Sequence, residues 1–244
     1  MEWQERDGVR WLEARLDGAR AVFSTRIGGV SEGPYEALNV AVKTGDDPGR
    51  VRDNRRRLSG ALGLGPSRVV MARQVHGGRL LRHTDEQRPR IWADAVRSPE
   101  EADAHATPAR GLAPLVMVAD CLPIALAGPG GVAIAHCGWR GLAVDLAALA
   151  ARAVKATTAA IGPGIGPCCY EVGDEVLSEF TEFPGAASGR MLDLVAIARE
   201  QLRGAGVSEV AASALCTSCE AELFYSHRRD GERTGRQAGL VWRN

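Results

Sequence analysis

No apolar run in this 244-residue chain approaches the ~20 residues that cross a bilayer, so no membrane-spanning helix is expected. Charge of one sign is not in surplus either. Thirty basic residues balance thirty acidic ones, which leaves no net field to favour nucleic acid or a membrane surface. Aromatic residues make up 5%, there are five histidines, and neither an internal repeat nor a low-complexity tract is present. The opening MEWQERDGVRW is charged and lacks the apolar core of a secretion signal. Together with six cysteines in a chain this long, that leads us to expect reduced thiols and a cytoplasmic location rather than a disulfide scaffold. Two nucleotide-binding motifs are missing as well. Arg26-Ile-Gly-Gly is not followed by Gly-Lys-Ser/Thr, so it is no P-loop. Gly162-Pro-Gly-Ile-Gly carries Pro163 and is followed by Pro167, where a Rossmann helix would have to begin.

What is present is ordinary for a globular chain: 45% hydrophobic and 25% charged residues, enough to bury a full core. Asp7-Gly8 and Asp17-Gly18 separate short alternating runs, which predicts an antiparallel meander at the start. A Gly-rich loop follows at 25–40. A helix is expected from Asp46-Asp47-Pro48, with Val51, Leu58 and Leu62 on one face and Gly63 and Gly65 at its end. Arg52, Arg55, Arg56 and Arg57 read as its solvated side. Strands are expected at 69–72 and 80–81, then loops over 84–113 around a short strand near 102–104. Beyond residue 141 the pattern gives helices at 142–155, 174–180 (capped by Asp174) and 192–202, and strands at 159–161, 207–215, 223–225 and 239–242. Leu142, Leu146, Leu149 and Val154 form the apolar face of the first of these helices. With no linker or composition break, the fold class is α/β with α+β character: one domain over 1–244, layered mixed β-sheets with flanking helices.

The chemistry concentrates in LVMVADCLPIALAGPGGVAIAHCGWRG, residues 115–141. Apolar runs at 115–119 and 132–135 flank a Gly-Pro-Gly-Gly break and read as a hairpin or as neighbouring buried strands. A turn centred on Gly128-Pro129 would set Cys121 opposite His136, with Cβ atoms roughly 4.5–5.5 Å apart. A turn centred on Pro129-Gly130 makes them diagonal neighbours. Cys121, His136 and His76 each stand where a predicted strand stops and a Gly-bearing turn begins. Two imidazoles and a thiolate suit zinc and leave a fourth position open, the mark of a catalytic rather than structural site. Water on such an ion falls from a pKa near ~16 toward ~7. Asp120 points away by strand alternation and is expected to brace the loop. Cys137 reads as core, and Cys168-Cys169 as part of a Gly/Pro loop. Cys216-Thr-Ser-Cys219 is a lone C-x-x-C with no second pair. His83 and His105 are expected at the surface. Anion-binding candidates are Arg26, Arg140, Arg228 and Arg229, each beside glycines or in a turn.

Eight blocks then match in order: TRIGGVSEGPYEALNV, QVHG, EADA, VADCLP, AHCGWRG, IGPGIGPCCYEVG, CT and FYSHRRDG…TGRQ. Together they resemble the purine nucleoside phosphorylase family formerly called laccase-domain or multicopper polyphenol oxidases. The resemblance implies a zinc held by His76, Cys121 and His136, the three residues already reached from their positions. It implies phosphorolysis of adenosine, inosine, guanosine and methylthioadenosine, with inorganic phosphate as co-substrate and adenosine deamination as a second activity. Arg26, Asn39, Arg140 and Arg228 are then the expected substrate and phosphate contacts. Nucleosides and phosphate are the expected partners, with no nucleic acid or membrane, in a monomer or weak homodimer. Three positions depart from the family pattern: Cys137, His227 and His105 stand where Ala, Tyr and an aliphatic residue are usual.

Three other readings remain open. Copper-dependent phenol oxidation needs clusters of H-x-H pairs, and the five histidines here are isolated, so copper is disfavoured. A metal-free hydrolase would use Cys121 as nucleophile and His136 as base. A non-catalytic zinc-binding protein would keep the ligands and turn nothing over.

Overall fold

The meander forms as β1 (Glu2–Arg6), β2 (Val9–Leu16) and β3 (Ala19–Ser24). Asp7 (φ 54°) and Gly8 (φ 76°) are both left-handed, as a two-residue hairpin turn requires. In β2, Val9 and Trp11 face one side while Leu12 and Ala14 face the other, and all four are buried. A sheet apolar on both faces has to be covered twice.

The computed structural model describes residues 1–84, 91–94 and 100–243. Its remaining strands are β4 (Val69–Val70), β5 (Leu80–Arg82), β6 (Ala104–Thr107), β7 (Ala113–Val118), β8 (Leu122–Gly128), β9 (Gly131–Cys137), β10 (Thr158–Ile161), β11 (Ala187–Ser188), β12 (Met191–Leu192), β13 (Glu209–Ala212) and β14 (Gln237–Trp242). The first sheet runs β1-β2-β3-β14-β7-β4 and the second β13-β10-β8-β9-β6-β5; β11 and β12 make a small separate ribbon. The two large sheets lie face to face around Phe23, Val116, Val118, Ile134 and Val241. Helix α1 (Pro48–Leu62) covers the outer face of the first sheet through Leu58, Ala61 and Leu62. Helices α2 (Trp139–Ala143), α3 (Leu146–Val154) and α5 (Leu194–Gly204) join the core on the outer face of the second. Two shorter helices are α4 (Asp174–Leu177) and α6 (His227–Asp230). Strand β9 gives Ile134 to the inter-sheet core and Ala133 and Ala135 to the helix-side core. The layers therefore share strands and form one domain, the α+β arrangement of mixed sheets and flanking helices read from the sequence.

Several local expectations change. The run 115–119 does not pair with 132–135. It belongs to β7 in the first sheet, and the hairpin partner of β9 is β8, which was not anticipated as a strand. Pro123 within β8 had obscured it. Register follows the second alternative: Pro123 faces His136 and Gly128 faces Gly131, with Pro129-Gly130 central. That turn lies against the end of α3, where a Cβ on Gly128 would sit 2.1 Å from Lys155 O. The single helix expected at 142–155 breaks at Asp145 (φ 58°) into α2 and α3, and Leu149, placed inward by periodicity, is exposed. Gly173 rather than Asp174 caps α4. Residues 223–225 form turn and irregular backbone instead of a strand. Part of the expected loop stretch, 85–90 and 95–99, lies outside the described residues.

Burial also reverses two surface expectations. Arg55 is 1% exposed, stacks on Trp92 and donates to Val40 O at 2.8 Å. Its burial brings the guanidinium down to about 10. His83 and His105 are buried and bonded ring to ring at 3.0 Å. Burial lowers the His105 imidazole to about 3 and so keeps it neutral.

Asn54 on α1 ties the Gly-rich loop to this scaffold. Its fully buried amide accepts from Val30 N–H and donates to Ser31 Oγ, Ala37 O and Asn39 O. Asn54→Ala strands several of those groups, each costing about 1–3 kcal/mol. The expected loss by chemical denaturation is about 2–4 kcal/mol, against roughly 0.5 kcal/mol or less for the exposed neighbour Asp53→Ala. Equal effects would deny Asn54 this role.

Candidate metal centre

Between β7 and β8 the chain crosses from one sheet to the other in three residues, Ala119, Asp120 and Cys121. Asp120 takes φ 91° to make the crossing. Its carboxylate accepts from Thr217 Oγ1 and from Arg228 N, both at 2.7 Å, and its carbonyl accepts from Ile165 N. Asp120 braces the loops, as its position in the chain implied. Cys121 emerges beside the end of β9 that carries His136. Gly138 leaves room for it, since a Cβ there would lie 2.7 Å from Cys121 Sγ.

His76 arrives from another direction. The Gln74 amide continues the ladder of β7 by bonding Met117 N and O at 2.8 and 2.7 Å. The chain then turns through His76 in a left-handed conformation, φ 58°. The turn closes on one carboxylate. Asp103, fully buried at the start of β6, accepts from the backbone N–H of Val75, His76 and Gly77 at 3.1, 3.0 and 2.8 Å. The same carboxylate bonds His136 Nδ1 at 2.9 Å. That bond fixes the His136 tautomer and leaves Nε2 as the donor atom. The His76 and His136 rings meet edge to face with centroids 4.8 Å apart. One donor atom from each of His76, Cys121 and His136 lies within 4.8 Å of the others. The three residues expected to act together do come together.

Electrostatics favour a thiolate here. Burial alone would raise the Cys121 thiol, but the facing His136, with His76, brings it down to about 6. Burial alone would lower His136, but Cys121 and Asp103 raise it to about 9. A thiolate flanked by two imidazoles is a borderline-soft donor set, with a buried carboxylate orienting one ring, and it fits a zinc-class ion.

The centre forms part of the wall of a cavity of about 590 Å³, lined also by Trp139, Arg140, Tyr170 and Arg228. That volume is within the roughly 300–1,000 Å³ of small-molecule sites. Among the described residues, six cations (Lys43, Arg55, Arg73, Arg140, Arg228, Arg236) line it against two carboxylates, Asp120 and Glu232. Arg140 and Trp139 stack at 4.3 Å, and Arg228 and Tyr170 at 5.0 Å.

Arg26 and Asn39 are placed elsewhere. The Arg26 guanidinium donates to Glu36 O and Ala221 O and stacks on Tyr225. Asn39, fully buried, donates to Asp46 Oδ2 and accepts from Arg236 N. The glycines of this loop serve close approach: a Cβ on Gly28 would sit 2.3 Å from Gly8 O and one on Gly29 2.2 Å from Ala37 O. The loop is scaffold rather than an anion cradle. Arg229 likewise holds backbone, donating to Thr217 O, Ser218 O and Phe224 O. Asp103 was missed as a contributor. Its only signal was EADA just before a short strand, too little to single out a carboxylate.

The sequence profile described as "Multi-copper polyphenol oxidoreductase laccase" matches residues 20–244. The chain belongs to this family. It is 38% identical to Purine nucleoside phosphorylase YfiH of Escherichia coli K12, over 92% of this chain and 94% of that one. Its fold is similar to the crystal structures of a Bacillus licheniformis hypothetical protein YfiH (TM-score 0.87, 30% identity, 99% of each chain covered) and of YlmD from Geobacillus stearothermophilus (TM-score 0.86, 35% identity, 99% and 98% covered). Among the described residues, no helix is long and apolar enough to cross a membrane.

Asp103→Asn keeps the shape of the side chain and removes its charge. If the centre holds a zinc-class ion, the substitution is expected to weaken that binding roughly 10- to 100-fold, measured with zinc by competition with a chromogenic chelator. Unchanged affinity would mean that Asp103 only buttresses the turn.

Proposed function

We propose that this chain is a zinc-dependent purine nucleoside phosphorylase that also deaminates adenosine. His76, Cys121 and His136 hold the ion, and the open fourth position faces the cavity. The observation that carries this reading is the convergence of two imidazoles and a depressed thiol on one wall of a cation-lined cavity. When bound, zinc supplies a Lewis acid at the reacting end of the substrate. The chain's own residues do the rest. Asp103 holds His136 in a single tautomer and orientation. Trp139 and Tyr170 present ring faces against which a flat base can lie. Arg140 is exposed, and its guanidinium has no hydrogen-bond partner among the described residues, so it is the side chain most ready to take phosphate. Arg228 donates to Cys169 O and Glu171 O and helps fix the loop that carries Tyr170, while adding positive charge to the cavity. The substrates we assign are adenosine, inosine, guanosine and methylthioadenosine, with inorganic phosphate as co-substrate and a cytoplasmic setting. In phosphorolysis, phosphate attacks the sugar C1′ as the bond to the purine breaks, and charge developing on the base meets the positive wall.

Copper chemistry of the kind named in the family description would need several metal centres rich in imidazole. Of the five histidines, His83 and His105 bond each other, His76 and His136 converge on Cys121, and His227 lines the cavity without joining that group among the described residues. A metal-free hydrolase draws on a different feature, the Asp103–His136–Cys121 chain, which has the connectivity of a nucleophile triad. His76 on the same sulfur is what an ion needs and a triad does not.

The decisive assay measures base release from inosine and adenosine with and without phosphate, and ammonia release from adenosine. Wild-type protein is expected to give phosphate-dependent hypoxanthine and adenine. His76→Ala is expected to lose both activities by about 100-fold or more, beyond the loss typical of a residue that only orients a ligand. Turnover that survives chelation and stops on thiol alkylation would favour the hydrolase. No turnover by well-folded, zinc-loaded protein would leave a binding role.

A further inference from the structure

The lone C-x-x-C of the sequence finds its second pair in space. The loop 162–173 carries Cys168 and Cys169, and the turn at 216–219 carries Cys216 and Cys219. The four sulfurs all lie within 4.8 Å of one another. Cys219 Sγ is 3.6 Å from Cys168 Sγ and 3.4 Å from Cys169 Sγ. Four sulfurs on a tetrahedral ion at about 2.3 Å would be about 3.8 Å apart along each edge, so little movement is needed to close the set.

Backbone N–H groups converge on one of these sulfurs, Cys216 Sγ. Gly166 N–H donates to Cys216 Sγ at 3.2 Å, and the peptide N–H groups of Ser218 and Cys219 are directed at the same sulfur. The two segments are already joined by a parallel bridge between Gly164 and Cys216, with Thr217 N–H donating to Gly164 O. Two cations stand by. Arg228 donates to Cys169 O and Glu171 O, and Arg229 to Thr217 O and Ser218 O. Four thiolates around a dication carry a net double negative charge, and these guanidinium groups lie on the carbonyls of the same turns.

We propose that Cys168, Cys169, Cys216 and Cys219 form a second, closed metal site of the zinc class, separate from the His76–Cys121–His136 centre. Binding replaces four S–H bonds by four metal–sulfur bonds and releases up to four protons to solvent; no electron is transferred. None of the four cysteines lines the cavity, but their neighbours reach it. Tyr170 follows Cys169 and lines the wall, and Thr217 follows Cys216 and bonds Asp120 beside Cys121. The ion clamps two loops behind the first centre. Cys168 and Cys219 are exposed, so the ion has access from solvent. This role does not depend on the nucleoside chemistry.

The test is zinc stoichiometry by mass spectrometry on the full chain, with native thiol titration and intact mass. Wild type is expected to hold two zinc ions, and His76→Ala one, with four thiols protected until chelator is added. Cys168→Ser/Cys219→Ser is expected to hold one. Because His76→Ala leaves the four cysteines intact, it decides the matter even where the double serine variant fails to fold. A His76→Ala protein with no zinc and freely reactive thiols would overturn the proposal. A mass lower by 2 Da, restored by reductant, would also overturn it by showing a disulfide between two of the sulfurs.

Discussion

The Asp103 carboxylate is wholly enclosed and accepts four hydrogen bonds, three from the backbone of the His76 turn and one from the His136 ring. A buried charge without partners costs several kcal/mol, so these donors are a condition of Asp103 remaining ionised. They keep its carboxyl below the usual carboxylate range against the opposing effect of burial. The consequence is geometric. One side chain sets the left-handed turn that presents His76 and the tautomer that His136 offers, linking two segments 60 residues apart in sequence. Loss of the charge would loosen both imidazoles at once.

Cys121 owes its place to the fold rather than to Asp103. Face-to-face sheets need somewhere for the chain to pass from one to the other, and here it does so through Asp120, with positive φ and a carboxylate bonded to two loops. The thiol leaves that crossing where the sheets part and the cavity begins. Its depressed titration and the raised one of His136 are two sides of one arrangement, in which a cation can take the place of the protons. The loops that bind Asp120 include the cysteine-bearing turn, so rigidity behind the crossing bears on the position of the Cys121 sulfur.

Residues whose role is local were readable in the sequence. Asp7-Gly8 announced its turn, Asp47-Pro48 its helix, and the ends of apolar runs announced His76, Cys121 and His136. Features that depend on the neighbour across the fold were not. The near-continuous apolar runs of β7 and β8 look the same whether both strands share a sheet or not, so the crossing at Asp120 was hidden. Asp103 has no periodic or spacing signal, because its partners come from 26 to 33 residues away. Arg26 and Asn39 sit in a glycine-rich loop that resembles an anion site, yet the glycines allow backbone contact and the polar groups are consumed within the scaffold. The four cysteines pair an adjacent couple with a C-x-x-C about 50 residues later, a spacing that carries no meaning until the loops are folded together.

The central claim is that His76, Cys121 and His136 bind one ion with a position open to the cavity. Anomalous diffraction at the zinc absorption edge, on crystals of zinc-loaded protein, tests it most directly. A peak is expected about 2.0–2.3 Å from one nitrogen of each histidine and from the Cys121 sulfur, with a light atom completing the tetrahedron on the cavity side. Density for the three side chains with no anomalous peak among them, in protein that turns over nucleosides, would contradict it.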